Sequence, residues 1–184
     1  MVVAGIVLSG GATATGIMEE GEELVGTPAP AWTVTTWINS KPLSLATLRG
    51  QVVLLRWWTA PGCPFCEASA PYLRQWHERY APQGLVVIGM YHPKPPGRIP
   101  VGVVKKLAQG LGMTFPLAID PEWETLRRYW LEGREHAWTS VSFLIGQEGI
   151  IRYIHPGGAY SPEDAQEIEA VIQELLSRRD ATGI

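Results

Sequence analysis

QVVLLRWWTAPGCPFCEASAPYLRQWHERY (residues 51–80) changes its hydrophobic period halfway along. Gln51 to Trp58 is a near-continuous apolar run of β-formers, the pattern of a strand covered on both faces, as in a parallel sheet with helices above and below. From Cys63 to Tyr80 the residues Phe65, Ala68, Tyr72, Leu73, Trp76 and Tyr80 recur at helical spacing, and Ala81-Pro82-Gln83-Gly84 ends the segment. Cys63 and Cys66 are the only cysteines of the 184-residue chain. They therefore fall where a central strand gives way to a helix.

Working outward, LVVIGMY (85–91) reads as a second buried strand and HPKPPGRIP (92–100) as a loop too rich in proline to continue it. Val101 to Leu111 has a helical pattern, Pro116 to Ile119 a short strand, and Trp123 to Trp130 a short helix. VSFLIG and GIIRYIH, separated by Gln147-Glu148-Gly149, predict an antiparallel hairpin. Ser161-Pro162-Glu163-Asp164 joins an N-cap to Pro at N1 and acids in the first turn, which starts a helix through Leu176. Upstream, AWTVTTWIN, the turn Asn39–Pro42 and then Leu43, Leu45 and Leu48 predict a short hairpin capped by a helical turn. The order β, α, β, α, β, hairpin, helix gives an α/β fold with a mixed sheet.

With 46% hydrophobic residues the chain can bury one sizeable core, placed at 26–184. Residues 1–25 are expected to form an N-terminal arm or the remnant of a leader. The apolar opening is short and cut by Gly10-Gly11, so it does not make the ~20-residue span a bilayer needs. Ala12-Thr13-Ala14 has the form of an export cleavage site, yet no Lys or Arg precedes it, and both readings stay open. A net charge of -3, with 15 basic and 18 acidic residues intermixed, speaks against nucleic acid as a partner.

The spacing of CPFC has a chemical reading. A thiolate, not a thiol, attacks disulfides, and a free cysteine with pKa ~8.5 is mostly protonated at neutral pH. At a helix N-terminus the first cysteine meets unpaired N–H groups and the positive end of the macrodipole. Cys63 is thus the expected nucleophile. Cys66, one turn on, is placed to resolve the mixed disulfide that Cys63 forms, closing Cys63–Cys66. Pro64 suits the first turn because it has no N–H to leave unpaired. Half of a zinc site is the competing use of C-x-x-C, but His77, His92, His136 and His155 form no H-x-x-x-H pair to complete it.

GTPAPAW, PLSLATLRGQVVLLRWW, C-x-x-C followed by APYL, FPLAID and FLIGQEGIIRYIHPGGAY occur in an order that resembles the thioredoxin-like superfamily. The resemblance is to the TlpA/ResA-like redoxins and the thioredoxin-like domain of DipZ-type proteins, over roughly residues 26–178. It implies a thioredoxin fold with an N-terminal β-hairpin extension and a thiol–disulfide oxidoreductase without bound cofactor. Partners would be protein or small-molecule thiols and disulfides, with a dithiol electron donor. It favours an extracytoplasmic site, periplasm or cell envelope, over the cytoplasm.

Against that family three features differ, the first being length: TlpA-type relatives carry W-A-x-W-C, whereas four residues separate Trp58 from Cys63 here. A proline in cis usually lies three residues before the Phe of the T-F-L-I strand, facing the cysteines; counting back from Phe143 gives Ser140, and Thr139–Ser140 is expected to be trans. Thr139 and Ser140 are the expected substrate-facing pair, with Trp58 and Trp138 as an apolar wall. Arg56 stands where thioredoxins bury an acid; it either favours a thiolate at Cys66 or pairs with a carboxylate and packs its stem. Thr59 lies four residues before Cys63, so the P-x-x-x-T-x-x-C motif of peroxidases does not match. Peroxide reduction is the alternative activity, and a non-catalytic binding module the alternative of another class. His92 and His155 are read as solvated loop histidines, and Glu135-His136 as a candidate acid or base.

Overall fold

Strand β2 (Val52–Trp58) is buried at every position, as its unbroken apolar run demands. It pairs in parallel with β3 (Leu85–Tyr91), Val52 opposite Leu85 and Trp58 opposite Tyr91, and antiparallel with β5 (Val141–Ile145). The computed structural model describes residues 20–134, 136 and 138–182. Beyond β3 lies β4 (Leu117–Ile119), parallel to it, and beyond β5 lies β6 (Ile151–Pro156), antiparallel. With β1 (Thr36–Ile38) the six-stranded sheet runs β1-β4-β3-β2-β5-β6.

The mixed α/β architecture is as expected, but the N-terminal hairpin is not formed. β1 pairs antiparallel with β4, Thr36 opposite Ile119, while Leu43, Leu45 and Leu48 lie in a turn region and Leu48 is buried. Apolar alternation reported a strand and could not report its partner.

Pleating divides β2 between two cores. Val52, Leu54 and Trp58 face helices α1 (Pro64–Tyr80), α2 (Val101–Gly110) and α4 (Pro162–Thr182), meeting Cys66, Leu73, Trp76, Val104 and Ile168. Val53, Leu55 and Trp57 face α3 (Glu124–Leu126) and the π-helical turn Arg127–Leu131 that continues it. The helix expected at 123–130 is therefore only partly α-helical. Ser161 caps α4 reciprocally: its Oγ accepts from the Asp164 amide at 3.1 Å, and Asp164 Oδ2 accepts from the Ser161 amide at 2.8 Å. Residues 1–19 of the expected arm lie outside the described residues. In the remainder, a β-carbon on Gly21 would meet the Trp130 ring at 2.7 Å, and just past it Gly26, the first residue of the expected domain, donates to the Ile151 carbonyl at 2.8 Å.

Candidate redox site

β2 ends at Trp58, and the loop Thr59–Gly62 carries the chain to α1. Tyr91 Oη, on the neighbouring strand, donates to the Ala60 carbonyl at 3.0 Å and fixes that loop. Cys63 is the N-cap of α1 and Pro64 its first residue. Cys63 and Cys66 are joined as a disulfide, with Cα atoms 5.3 Å apart. The Cys66 amide donates to Cys63 Sγ at 3.2 Å and to the Cys63 carbonyl at 3.0 Å. On reduction, the same N–H and the macrodipole stabilise a thiolate at Cys63. Cys63 is half-buried and Cys66 is 1% exposed, so an incoming sulfur reaches the first cysteine and not the second.

Around this turn the structure separates the expected substrate-facing residues. Trp138 is 49% exposed and sets its ring at 5.9 Å, edge to face, from Phe65 of the CPFC turn, itself 45% exposed. Trp130 Nε1 donates to the Trp138 carbonyl at 2.8 Å and anchors that segment. Trp58, by contrast, is 1% exposed beneath the loop, 4.9 Å from the Tyr91 ring, because its place on β2 turns it into the α1 core. It offers a substrate no surface. Thr139 is half-buried with Oγ1 2.9 Å from His92 Nε2, and Ser140 is 9% exposed. The cis bonds among the described residues precede Pro61 and Pro95, and Thr139–Ser140 is trans. A cavity of about 510 Å³ opens beside the disulfide, lined by Cys63, Cys66, Pro61, Lys106, Leu107 and Leu111 among others. The α2 residues of that wall carry no sequence signal beyond amphipathic spacing.

Beneath the turn, Arg56 is fully buried. Nη1 donates to the Gly157 carbonyl at 2.8 Å and to Ser142 Oγ at 3.2 Å; Nη2 donates to the Gly158 carbonyl and, at 3.4 Å, to Ser69 Oγ. Its guanidinium carbon lies 5.2 Å from the centre of the Tyr160 ring, whose hydroxyl is 2.6 Å from Ser142 Oγ. None of the ion pairs among the described residues includes Arg56, so the expected carboxylate partner is replaced by backbone carbonyls. Gly157, Gly158 and Tyr160 were not identifiable from sequence as its partners, since they lie about a hundred residues away along the chain.

Neither His92 nor His155 is solvated. His92 is fully buried, and burial, aided by Lys94, pushes its pKa down to about 3. His155 is 8% exposed, with Nε2 3.3 Å from Asp164 Oδ2; burial lowers its pKa, and the Asp164 carboxylate acts in the opposite sense. Strand-end position reads as a loop in the sequence, but both residues lie under neighbouring elements. His136 stacks on Trp130 with centroids 3.6 Å apart and bonds through Nδ1 to Glu20, while Glu135 lies outside the described residues. Among the described residues no group of three or more His, Cys, Asp and Glu is arranged to hold a metal ion, and no helix is long and apolar enough to cross a membrane.

The AhpC/TSA family model matches residues 25–154. Protein DipZ of Mycobacterium bovis is 32% identical over 158 residues, which is 84% of this chain and 21% of that protein; this chain thus spans about a fifth of its length. The thiol-disulfide oxidoreductase ResA of Geobacillus thermodenitrificans is 26% identical over 147 residues, 80% of this chain and 78% of the relative. Among solved structures, a Chlorobium tepidum protein assigned to the DsbE thiol:disulfide interchange proteins superposes with a TM-score of 0.67 at 26% identity, covering 83% of this chain and 97% of the other. The fold is accordingly the thioredoxin fold.

Proposed function

We propose that this chain, which belongs to the AhpC/TSA family, is a thiol–disulfide oxidoreductase in which Cys63 attacks and Cys66 resolves. The observation that carries the reading is the disulfide at the N-terminus of α1, one sulfur half-buried and its sibling enclosed. In the reduced protein the Cys63 thiolate attacks a substrate disulfide and one substrate sulfur leaves as a thiolate. Cys66 then attacks Cys63 Sγ, the second substrate sulfur leaves, and Cys63–Cys66 closes. Two electrons have passed from the protein to the substrate. Exchange in the opposite sense reverses these steps, and neither direction requires a bound cofactor.

Phe65, Trp138, Thr139 and Ser140 form one side of the substrate approach and the cavity wall at Leu107 and Leu111 the other. Protein or small-molecule thiols and disulfides are the partners, with a dithiol protein or a small thiol returning electrons. The names of the ResA and DsbE relatives support that chemistry. The test is a titration of Cys63–Cys66 in glutathione buffers beside turnover of a peptide disulfide. Reversible two-electron titration with turnover that vanishes in Cys63→Ser is expected. A pair indifferent to the buffer would make the domain a binding module, and oxidation by hydrogen peroxide far faster than that of an ordinary thiol would make it a peroxidase.

A further inference from the structure

Arg56 poses a charge problem that the oxidised protein leaves open. A guanidinium cannot shed its proton in a protein, and taking a cation out of water is costly unless an anion or a full set of acceptors receives it. Here the acceptors are two carbonyls and two hydroxyls, Nε has no hydrogen-bond partner, and no carboxylate lies within ion-pair distance among the described residues. Ser69, which receives Nη2, donates its own hydroxyl to the Cys66 carbonyl at 3.3 Å. Cys66 and Ser69 are three residues apart on α1 and lie on the same face. The alternation that turns Leu54 and Trp58 into the core containing Cys66 turns Arg56 the same way.

We propose that Arg56 is a positioning residue for the buried sulfur, its guanidinium serving as the standing counter-charge of the Cys66 thiolate that reduction creates. The inference rests on the reading that Cys63 and Cys66 cycle between dithiol and disulfide. When a donor thiolate attacks Cys63 Sγ, the Cys63–Cys66 bond breaks and its electron pair stays on Cys66 Sγ as an anion beside a fixed positive charge. A second donor thiolate then attacks the donor sulfur of the mixed disulfide, releasing Cys63 as a thiolate and the donor as its disulfide. The protein has gained two electrons and the donor thiols have lost two. In the other direction Cys66 attacks already ionised. Neither step needs a proton to be delivered to the enclosed sulfur or removed from it.

The groups facing Arg56 leave Cys66 as the anion. From the β3 side comes His92, buried and neutral, and from β6 His155, whose partner is Asp164 of α4. Burial lowers the pKa of both histidines, and the charge of Arg56 acts in the same sense. Tyr160 offers its ring face, with its hydroxyl committed to Ser142. On α1 the group beside Ser69 that gains a negative charge on reduction is Cys66.

The test isolates Cys66 in the full chain carrying Cys63→Ser and follows thiolate absorbance in the ultraviolet against pH. Although Cys66 is 1% exposed, which by burial alone raises a thiol's pKa, it is expected to ionise below the ~8.5 of free cysteine. In the same background Arg56→Gln raises the midpoint and Arg56→Lys keeps it low, because the effect follows charge and not hydrogen-bonding capacity. In the chain with both cysteines, Arg56→Gln slows release of a mixed disulfide at pH 7 at least tenfold. A midpoint above the free-cysteine range in the Arg56 protein overturns the proposal even if Arg56→Gln fails to fold, and so do equal midpoints in the Gln and Lys variants. A low midpoint that depends on Arg56, found together with no disulfide turnover in the unmodified chain, supports the charge pairing and sinks the oxidoreductase reading instead.

Discussion

A β-carbon placed on Gly158 would stand 2.5 Å from Cβ of Phe65, so the segment after β6 and the redox turn touch at a position that admits no side chain. Arg56 holds the other side of that contact by bonding the Gly158 carbonyl. Gly158→Ala is expected to push the turn and this segment apart, costing ~1–3 kcal/mol as overpacking does. Chemical denaturation reads the loss, and turnover of a peptide disulfide should fall with it. Full stability and full turnover would show that the contact yields freely.

The two cysteines should fail differently. Cys66→Ser is expected to accumulate a mixed disulfide between Cys63 and substrate, visible as a mass adduct removed by reductant, whereas Cys63→Ser forms none. An adduct on Cys66 in the second variant would reverse the assignment.

Two tryptophans near the redox turn, Trp138 exposed and Trp58 enclosed, separate binding from stability. Trp138→Ala removes an exposed ring and should raise KM for a protein disulfide several-fold with little change in melting temperature. Trp58→Ala empties a fully buried site and should cost ~3–5 kcal/mol. A stability loss at Trp138 as large as that at Trp58 would contradict the placement.

Acid stability should report His92. Its folded pKa of about 3 lies below the ordinary 6.5, so the unfolded chain binds the proton first as pH falls. Above pH 6.5 the group has no effect on stability; between 6.5 and 3 it withdraws up to ~1.4 kcal/mol per pH unit. Denaturation midpoints measured across that window should flatten in His92→Gln, and an unchanged slope would mean that His92 is not buried neutral.

Much of this was legible in local sequence. The uninterrupted run Val52–Trp58 announced a doubly covered strand, and Cys63-Pro64 put the helix start within a residue of where it lies. Ser161 through Asp164 likewise gave the start of α4, although the helix runs past Leu176 to Thr182. What escaped depended on distant partners. Thr36–Ile38 showed its β-propensity but not that β4 would receive it, and Trp58 showed its proximity to the cysteines but not that the pleat would turn it inward. Arg56 stood out as a charge in an apolar strand, while the Gly157 and Gly158 carbonyls that accept from it bear no mark of that role in the residues themselves.

The pairing of Thr36 with Ile119 also sets an order of events during synthesis. β1, which comes first among the strands of the described residues, has to wait until more than eighty further residues have been made before its neighbour is complete, and until then the nascent molecule carries an unmatched ribbon of backbone. A fragment ending ahead of Leu117 would lack β4 altogether, and one of its outermost strands would have nowhere to dock.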